Sequence, residues 1–349
     1  MQKYFDFRSD TVTHPTPAMR AAMATAEVGD DVYREDPTVT MLEEKAAAML
    51  GKEAGLLVSS GTMGNLVAVL AVCGRGDEVI MGTAGHTFLH EAGGVSALGG
   101  VVIHTILNQE DGTLALEDIQ RAMRNPEDYH EPISRMVIVE NTQNACGGKA
   151  LSADYMRSVG VTTAELGLHF HIDGARIFNA SVALKVPAAT LVEPAESITF
   201  CLSKGLCAPI GSVLCGDKQF IERARRIRKM LGGGMRQAGI IAAAGIVALD
   251  SMIGRLEEDH IRAHRLAEGL AQVPGIQLTK GSPNTNMVFF KLDPALGMDN
   301  SLLINEMKAH GVLINETNDG EIRLVTHHDI DDLAVERCLE ALLEIVNKH

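Results

Sequence analysis

Tryptophan is absent from this chain of 349 residues, and aromatic residues make up only 4% of it. Proteins that bind single-stranded nucleic acid stack bases on aromatic side chains, so this scarcity argues against such a partner. Basic residues are also a minority: 31 Lys and Arg stand against 45 Asp and Glu, for a net charge of -14. Because an acidic chain has little general affinity for phosphate backbones or anionic membranes, we expect neither nucleic-acid nor membrane partners.

Long apolar runs are missing as well. The longest, from Gly239 to Leu249, is too short to span a bilayer and is followed by Asp250, so we predict a helix of the protein core. The N-terminal residues carry charges and lack the apolar segment of a secretory signal. The six cysteines form no CxxC pair. This favours buried thiols in a reducing cytoplasm over disulfides or zinc ligands, and we expect a cytoplasmic protein.

A regular alternation of strand-like and helix-like segments fills most of the chain. The short β-rich runs are GLLVSS, EVIMG, GVVIHTI, RMVIVE, LHFHID, SITFCLS and GSVLCG, and helix-length segments such as TVTMLEEKAAAML separate them. This alternation predicts βαβ units, a largely parallel sheet and ligands at the carboxyl ends of the strands. After Leu249 the pattern changes to a long charged helix and a hairpin. We predict an α/β domain over residues 1–248 and a smaller α+β domain over residues 249–349.

A single lysine stands in an uncharged stretch, ITFCLSKGLCAPIGS. Lys204 is the only charged residue between Glu196 and Asp217, which predicts a half-buried side chain. Burial lowers the pKa of an amine, and a neutral amine is what a Schiff-base lysine needs. A loop lysine that reaches solvent is the alternative that this stretch alone leaves open.

Two glycine-containing turns are candidate anion sites. In LLVSSGTMGN a strand leads through a turn with Gly61 and Gly64 into the helix NLVAVLAV, which we predict to begin at Asn65. The free N–H groups and dipole of this helix start suit a phosphate, with Ser60 and Thr62 as extra donors. An ordinary helix cap is the alternative here. In RARRIRKMLGGGMRQ six basic residues surround three glycines, which suits a small phosphate. A solvated helix face or a nucleic-acid patch are the alternatives for this second turn.

The segment LHFHIDGARIFNA carries the third candidate group. In a strand, His169, His171 and Asp173 share one face and could coordinate a metal. Asp173 also stands at the strand's end, where an aspartate can hold the N–H⁺ of a heterocycle. Arg176 can bind a carboxylate or a phenolate-like oxygen. From these residues alone both interpretations stay open.

The order of these features is the one that a pyridoxal phosphate enzyme requires: a phosphate turn, an acid at a strand end, a lysine and an arginine-rich glycine turn. Nearly end to end, the sequence resembles the L-threonine aldolases among the fold-type I pyridoxal phosphate enzymes of the aspartate aminotransferase superfamily. The motifs that carry the resemblance are FRSDTVT, GDDVYREDPT, SSGTMGN, EAGG, ENTQN, HIDGARIFNA, CLSKGLCAPIGS, RKMLGGGMRQ and IRLVTH.

The resemblance implies a transferase-like large domain with a mainly parallel seven-stranded sheet, a smaller α+β C-terminal domain, and a homotetramer built as a dimer of dimers. Its active sites would lie at the dimer interface. It names Lys204, His86, His130 and Asp173 as catalytic residues: Lys204 for the Schiff base, Asp173 for the pyridine nitrogen, His86 stacked on the cofactor ring and His130 near the substrate hydroxyl. The other implied positions are Ser60, Gly61, Thr62, Arg176, Lys229 and Arg236 for the cofactor, with Lys229 and Arg236 reaching across the interface, and Ser9, Tyr33, Arg176 and Arg323 for the substrate.

The implied reaction is the reversible cleavage of L-threonine, L-allo-threonine and other L-β-hydroxy-α-amino acids to glycine and an aldehyde. The base that removes the proton of the β-hydroxyl group could be His86, His130 or an ordered water. Two alternatives remain at this point. One is a pyridoxal phosphate-dependent β-eliminating lyase or aminotransferase on a small amino acid. The other is a metal-dependent hydrolase that uses His169, His171 and Asp173.

Three positions depart from the pattern of the L-threonine aldolases. Arg34 stands where glycine is usual, Gln143 where histidine is usual, and His90 where an aromatic residue is common. Arg34 could add positive charge near the substrate pocket, and Gln143 removes an ionisable group. The preferred aldehyde and the choice between threonine and allo-threonine therefore do not follow from the resemblance.

Overall fold

The computed structural model describes residues 4–348. Its strands are β1 (Phe5–Asp6), β2 (Ala54–Val58), β3 (Asp77–Gly82), β4 (Val102–Ile106), β5 (Ile133–Glu140), β6 (His169–Asp173), β7 (Ser197–Cys201), β8 (Ser212–Gly216), β9 (Ile276–Leu278), β10 (Met287–Leu292), β11 (Val312–Leu313), β12 (Asn315–Glu316) and β13 (Ile322–Val325). Its α-helices are α1 (Pro17–Ala24), α2 (Pro37–Met49), α3 (Gly61–Val72), α4 (His86–Leu89), α5 (Gly94–Gly99), α6 (Leu116–Ala122), α7 (Ala153–Leu166), α8 (Ile177–Leu184), α9 (Ala188–Val192), α10 (Lys218–Met230), α11 (Gly239–Ser251), α12 (Leu256–Leu270), α13 (Asn300–Ala309) and α14 (Asp332–Val346).

A seven-stranded sheet forms the centre of the larger part, in the order β2-β8-β7-β6-β5-β3-β4. The strands run parallel except for β8, which is antiparallel to both of its neighbours. Each of the β-rich runs predicted from the sequence is one of these strands. Their apolar character follows from burial on both faces, as parallel sheets require. The predicted fold class, the fold-type I architecture with a mainly parallel sheet, is confirmed.

Helices cover both faces of this sheet, as alternate residues of β2 illustrate. Leu56 packs into a cluster with α3 and α10, whereas Leu57 belongs to the large cluster that includes Leu42 of α2 and Ala244 of α11. Successive side chains of a strand point to opposite faces. The apolar run from Gly239 is thus the predicted core helix, α11.

No single helix within residues 4–348 has the length and apolar composition to cross a membrane. Only α11 and α12 taken together pass such a test, and they meet at a bend of 70°.

A four-stranded antiparallel sheet, β12-β13-β10-β9, lies in the C-terminal part with α12, α13 and α14. The long charged helix predicted from residue 251 onward is shorter in the structure, because the chain turns between α11 and α12 at Gly254. The predicted domain boundary after residue 248 lies inside α11 and stays a prediction.

The N-terminal segment joins the C-terminal part rather than the large sheet. Strand β1 pairs in parallel with β11, Phe5 opposite Val312, and Phe7 is fully buried in the C-terminal apolar cluster. This pairing leads the chain directly to Ser9 and Asp10, which lie close to the carboxyl ends of the large sheet.

The carboxyl ends of several strands meet at one edge, where the next residues carry polar side chains. Helix α3 follows β2 and begins at Gly61, four residues earlier than predicted, with Ser60 as its N-cap. It packs tightly on β7: a Cβ at Gly64 would lie 2.4 Å from Thr199 Cγ2. Glycine at this position therefore lets the start of α3 approach the sheet.

We expect Gly64→Ala to destabilise the fold by about 1–3 kcal/mol, because the added methyl group overpacks the contact with β7. Urea unfolding measures the change, and Gly254→Ala is the matched control, since a Cβ at Gly254 meets no atom within 4 Å. The double variant Gly64→Ala/Thr199→Ala should recover part of the loss. Equal stability of the single and double variants would contradict the packing argument.

Candidate active site

The phosphate-type turn stands at the start of α3. Ser60 Oγ accepts a hydrogen bond from Met63 N at 3.1 Å, which leaves the Ser60 hydroxyl hydrogen free to donate. N–H groups in the first turn of a helix have no acceptor inside the helix. A Cβ at Gly61 would lie 3.0 Å from Cys201 Sγ, so a glycine brings this turn against the end of β7. The turn can hold an anion through Gly61 and Thr62.

Asp173, the last residue of β6, is buried with 3% of its surface exposed. Its Oδ2 accepts hydrogen bonds from Asn65 Nδ2 at 2.9 Å and Thr87 Oγ1 at 3.3 Å. Within residues 4–348, Oδ1 accepts no hydrogen bond. One oxygen of this carboxylate is therefore fixed, and the other is available to a ligand N–H.

Two further buried carboxyl groups flank Asp173. Burial and the nearby Asp173 charge raise the pKa of Glu140 to about 7, although Glu140 accepts hydrogen bonds from the backbone N–H groups of Asn144 and His86. Burial also raises the pKa of Glu91. The second Glu91 oxygen, Oε2, is buried without a hydrogen-bond partner in the described part of the chain.

His86 begins α4 beside these acids. Its Nδ1 lies 3.0 Å from Glu91 Oε1, and this hydrogen bond raises the pKa of the imidazole. With Nδ1–H donating to Glu91, the neutral ring presents Nε2 as an acceptor. His90 lies next to it, with ring centroids 5.5 Å apart. Burial and the His86 charge lower the pKa of His90.

Lys204 follows β7 and is half-buried, as the sequence predicts. Its carbonyl oxygen accepts hydrogen bonds from Thr13 Oγ1 at 3.0 Å and Cys207 N at 2.8 Å. These contacts hold the backbone of the lysine. Its Nζ has neither an ion pair nor a hydrogen bond within residues 4–348. Thr13 Oγ1 also contacts the Asp10 carbonyl oxygen at 3.0 Å, so Lys204 lies beside Asp10, and its charge acts on both Asp10 and His86.

Arg176, which is buried, and Arg323, which is half-buried, are the two arginines of this group. Arg176 donates to both Asp10 oxygens, Nε at 2.7 Å and Nη2 at 2.6 Å. Burial alone would raise the pKa of Asp10, but the Arg176 guanidinium holds it far below its usual range. Arg323 donates to Asn144 Oδ1 and to the Arg8 carbonyl. Because no carboxylate pairs with Arg323 in the described chain, it is the more available cation.

Ser9 lies beside Asp10, and its Oγ accepts from Thr11 N at 3.3 Å. The structure thus brings together nine of the residues proposed from the sequence, namely Ser9, Ser60, Gly61, Thr62, His86, Asp173, Arg176, Lys204 and Arg323.

Four residues proposed from the sequence lie on the surface of the chain, outside the group around Lys204. Tyr33 is 72% exposed, Arg236 pairs with Asp30 at 2.9 Å, and Lys229 lines an open groove of about 450 Å³ along α10. The His130 side chain is 94% exposed and contacts Asp128 Oδ1 at 2.8 Å. The fold of the described chain does not bring these residues to Lys204, so their roles stay predictions.

The histidines of β6 do not form a metal site with Asp173. His169 Nε2 and His171 Nδ1 both contact Ser197 Oγ, at 2.7 and 2.8 Å. The potential ligand group found among residues 4–348 is His86, Glu91 and Asp173. The geometry therefore does not support the metal-dependent alternative that used His169 and His171.

The structure shows the contacts of Arg34 and Gln143, two of the three positions that depart from the pattern of the L-threonine aldolases. Arg34 pairs with Glu222 at 3.0 Å on the surface and adopts the left-handed region with φ 63°. Gln143 is fully buried, where its amide donates to the Ala84 carbonyl and its Oε1 accepts from Cys146 N. An amide suits both contacts, one as donor and one as acceptor.

Sequence reasoning missed four side chains that shape the site. Asp10, Asn65, Glu91 and Glu140 all lie inside motifs already singled out, respectively FRSDTVT, SSGTMGN, EAGG and ENTQN. Their polar character within these motifs was the available signal, and only Glu140 stands at the end of a strand.

These residues fit pyridoxal phosphate. The N-terminus of α3 suits its phosphate, the free Oδ1 of Asp173 suits its ring nitrogen, and the unpartnered amine of Lys204 suits its aldehyde. Fold and site together define a lyase of the fold-type I class. The chain belongs to the Beta-eliminating lyase family, whose model matches residues 6–293.

Close relatives carry more specific names. The chain is 47% identical over 344 residues to the probable low-specificity L-threonine aldolase 2 of Arabidopsis thaliana, covering 97% of this chain and 96% of that protein. It is 45% identical over 326 residues to the low specificity L-threonine aldolase of Escherichia coli K12, covering 93% and 94%. The resemblance to L-threonine aldolases is thereby confirmed.

Solved structures support the fold. A threonine aldolase from Leishmania major superposes with a TM-score of 0.82, covering 98% of this chain and 99% of that one, at 22% identity.

Glu140 makes stability depend on pH. Its pKa rises from 4.5 to about 7 on folding, so the folded chain binds this proton more tightly. The resulting stabilisation is complete below about pH 4.5 and is lost as pH rises through 7, by on the order of 2–3 kcal/mol. We therefore expect the free energy of unfolding of Glu140→Gln minus that of wild type to be larger at pH 8 than at pH 5, because only wild type loses stability over this range.

Urea unfolding of the cofactor-free protein at both pH values measures this difference. Any fixed cost of placing an amide at Glu140 cancels in the comparison. Glu268→Gln, on the exposed face of α12, is the control and should show no such pH dependence. A constant offset for Glu140→Gln would contradict the prediction.

Arg34 carries backbone strain that glycine would remove. A residue with a Cβ in the left-handed region costs about 1 kcal/mol more than glycine. We therefore expect Arg34→Gly to be about 1 kcal/mol more stable than Arg34→Ala in urea unfolding. Both variants lose the exposed pair with Glu222, so that loss cancels. An alanine variant as stable as the glycine variant would disprove the role of φ.

Proposed function

We propose that this protein is a pyridoxal phosphate-dependent aldolase. It cleaves L-threonine, L-allo-threonine and related L-β-hydroxy-α-amino acids reversibly to glycine and an aldehyde. The observation that carries the proposal is the half-buried, unpartnered amine of Lys204 in one group with Asp173 and His86. The names of the relatives support the substrate class.

The cofactor contacts follow from this arrangement. Lys204 would carry the covalent link to the aldehyde, Asp173 would hold the pyridine nitrogen through Oδ1, and His86 would contact the ring. When bound, pyridoxal phosphate supplies an electron sink for the carbon–carbon bond that breaks.

The carboxylate of the substrate binds at the arginine side of the site. Arg323 is the primary contact, since Asp10 already neutralises most of the Arg176 charge. Ser9 adds a hydroxyl donor at the end of the N-terminal segment. Fixing the carboxylate at this end turns the bond to be broken toward the cofactor face.

A base must take the proton of the substrate β-hydroxyl. His86 is suited to this through Nε2, because Nδ1 is held by Glu91 and the raised pKa makes the ring a stronger base. His130 is the second candidate, provided that subunit assembly or loop movement brings it from the surface to the site.

The homotetramer, a dimer of dimers with shared active sites, belongs to this proposal. Its support is an exposed region that carries large apolar side chains beside basic ones: Tyr33 and Met230 are each 72% exposed near Lys229. Docking this region against another subunit would bring Lys229 and Arg236 to a phosphate and Tyr33 to a pocket. A cytoplasmic location is also proposed, and the free state of all six cysteines supports it.

A β-eliminating lyase or aminotransferase is the second candidate function, because the matching family carries the description of a β-eliminating lyase. The four stereoisomers of threonine separate the candidates when incubated with purified enzyme and pyridoxal phosphate. Glycine and acetaldehyde from the L isomers alone support the aldolase. Formation of a 2-oxo acid, or amino-group transfer without aldehyde, supports the alternative.

Lys204→Ala should lower aldehyde release at least about a thousandfold, because the cofactor loses its covalent anchor and its amine. Lys291→Ala, an exposed strand lysine, is the control and should keep wild-type activity. Absorbance of the bound cofactor shows whether the variant still folds around it. Full turnover by Lys204→Ala would refute the proposed function.

A further inference from the structure

We propose that Asn65 is the positioning residue of Asp173, and that a buried chain formed by His169, Ser197 and His171 fixes its amide. This inference rests on the proposed function, in which Asp173 holds the pyridine nitrogen. It assigns roles to a chain of buried polar side chains that connects β6 and β7 to the start of α3.

The hydrogen bonds run without interruption from His169, the first residue of β6, to the carboxylates of Glu91 and Asp173. His169 Nε2 lies 2.7 Å from Ser197 Oγ, which lies 2.8 Å from His171 Nδ1. His171 Nε2 lies 3.2 Å from Asn65 Oδ1. His171 and Asn65 are almost completely buried.

Chemistry fixes the direction of every hydrogen bond in this chain. Asn65 Oδ1 can only accept, so His171 Nε2 carries a hydrogen. Burial lowers the pKa of His171 to about 3 and that of His169 to about 4, so both rings are neutral and each carries one N–H. His171 Nδ1 therefore accepts from the Ser197 hydroxyl. Ser197 Oγ in turn accepts from His169 Nε2–H.

The amide nitrogen of Asn65 is the hydrogen-bond donor to two buried acids. With Oδ1 held by His171, the Asn65 amide turns its Nδ2 toward Glu91 Oε1 at 2.8 Å and Asp173 Oδ2 at 2.9 Å. Both hydrogens of the amide are thereby used. The flipped amide is excluded because its oxygen would face two carboxylates, and the amide in this orientation presents Oδ1 to His171 Nε2–H.

This arrangement sets which Asp173 oxygen faces the ligand. Asn65 and Thr87 both bind Oδ2, so Oδ1 remains for the ring nitrogen. The titratable groups around Asp173 are Glu91, Glu140 and His86. Without the amide, Glu91 and Asp173 would share a buried space with no donor between them. One acid would then bind a proton, or the Asp173 side chain would rotate.

Asn65→Leu tests the proposal, because leucine has a similar shape and no polar atoms. We expect at least tenfold weaker binding of pyridoxal phosphate, measured by titration of the cofactor-free protein. We also expect a changed pH dependence of the bound cofactor's absorbance, since Asp173 no longer holds the ring nitrogen in the same state.

His171→Leu is the second variant, in case Asn65→Leu does not fold. It leaves both carboxylates and the amide in place but frees Asn65 Oδ1. It should shift binding and absorbance in the same direction by a smaller factor.

Asn179→Leu is the matched control. Asn179 is as buried as Asn65 and its amide contacts the His260 ring at 3.1 Å, away from the acids. It should lose thermal stability without a change in the pH dependence of the cofactor's absorbance.

The outcomes separate this proposal from the proposed function. If wild type binds pyridoxal phosphate and releases aldehyde while a folded Asn65→Leu or His171→Leu matches it in affinity and absorbance, the positioning role is refuted. If wild type binds no pyridoxal phosphate, the proposed function itself fails. Loss of affinity in Asn179→Leu equal to that in Asn65→Leu would show a merely structural effect and also refute the role.

Discussion

A carboxylate buried beside two other acids is the constraint on which the rest of the site depends. Removing a charge from water is costly unless hydrogen bonds replace the solvent. Asp173 receives those bonds from Asn65 on α3 and Thr87 on α4. The two helices follow different strands of the large sheet, so the strand order places the donors. The fold therefore stabilises this acid before any ligand is bound.

The same logic separates the acids of the site from its arginines. The acids Asp173, Glu91 and Glu140 are balanced by neutral donors, which leaves net negative charge for a cationic ring. Arg176 and Arg323 together have a single carboxylate as a hydrogen-bond partner, that of Asp10 on Arg176, which leaves Arg323 without an acidic partner among residues 4–348.

Much of the fold could be predicted because most strands of the large sheet are short runs rich in apolar, β-branched residues. Such a run can be recognised without knowing which strand pairs with it, and all strands of the large sheet were found in this way. Lys204 was found for a related reason, since a lone charge in an apolar stretch must be either functional or costly. The start of α3 was predicted too late, because Gly61 and Gly64 were interpreted as turn residues. In the structure they are helical and permit close packing on β7.

The pairings within the site could not be predicted, because they join residues distant in the sequence. Nothing near Arg176 indicates that Asp10 neutralises it, and nothing near Asp173 indicates the amide of Asn65. The placement of Tyr33, Lys229, Arg236 and His130 is a different case. Their relation to the site depends on a second copy of the chain, which one sequence does not describe.

The pairing of β1 with β11 has a consequence for the way the protein is made. Ser9 and Asp10 are synthesised among the first residues, whereas β11 and Arg323 leave the ribosome near the end. The N-terminal segment must therefore wait, unpaired, while the large sheet is translated and folds. Ser9 and Arg323 are the proposed contacts of the substrate's carboxylate, so a chain that ends before β11 lacks the pairing that brings them together.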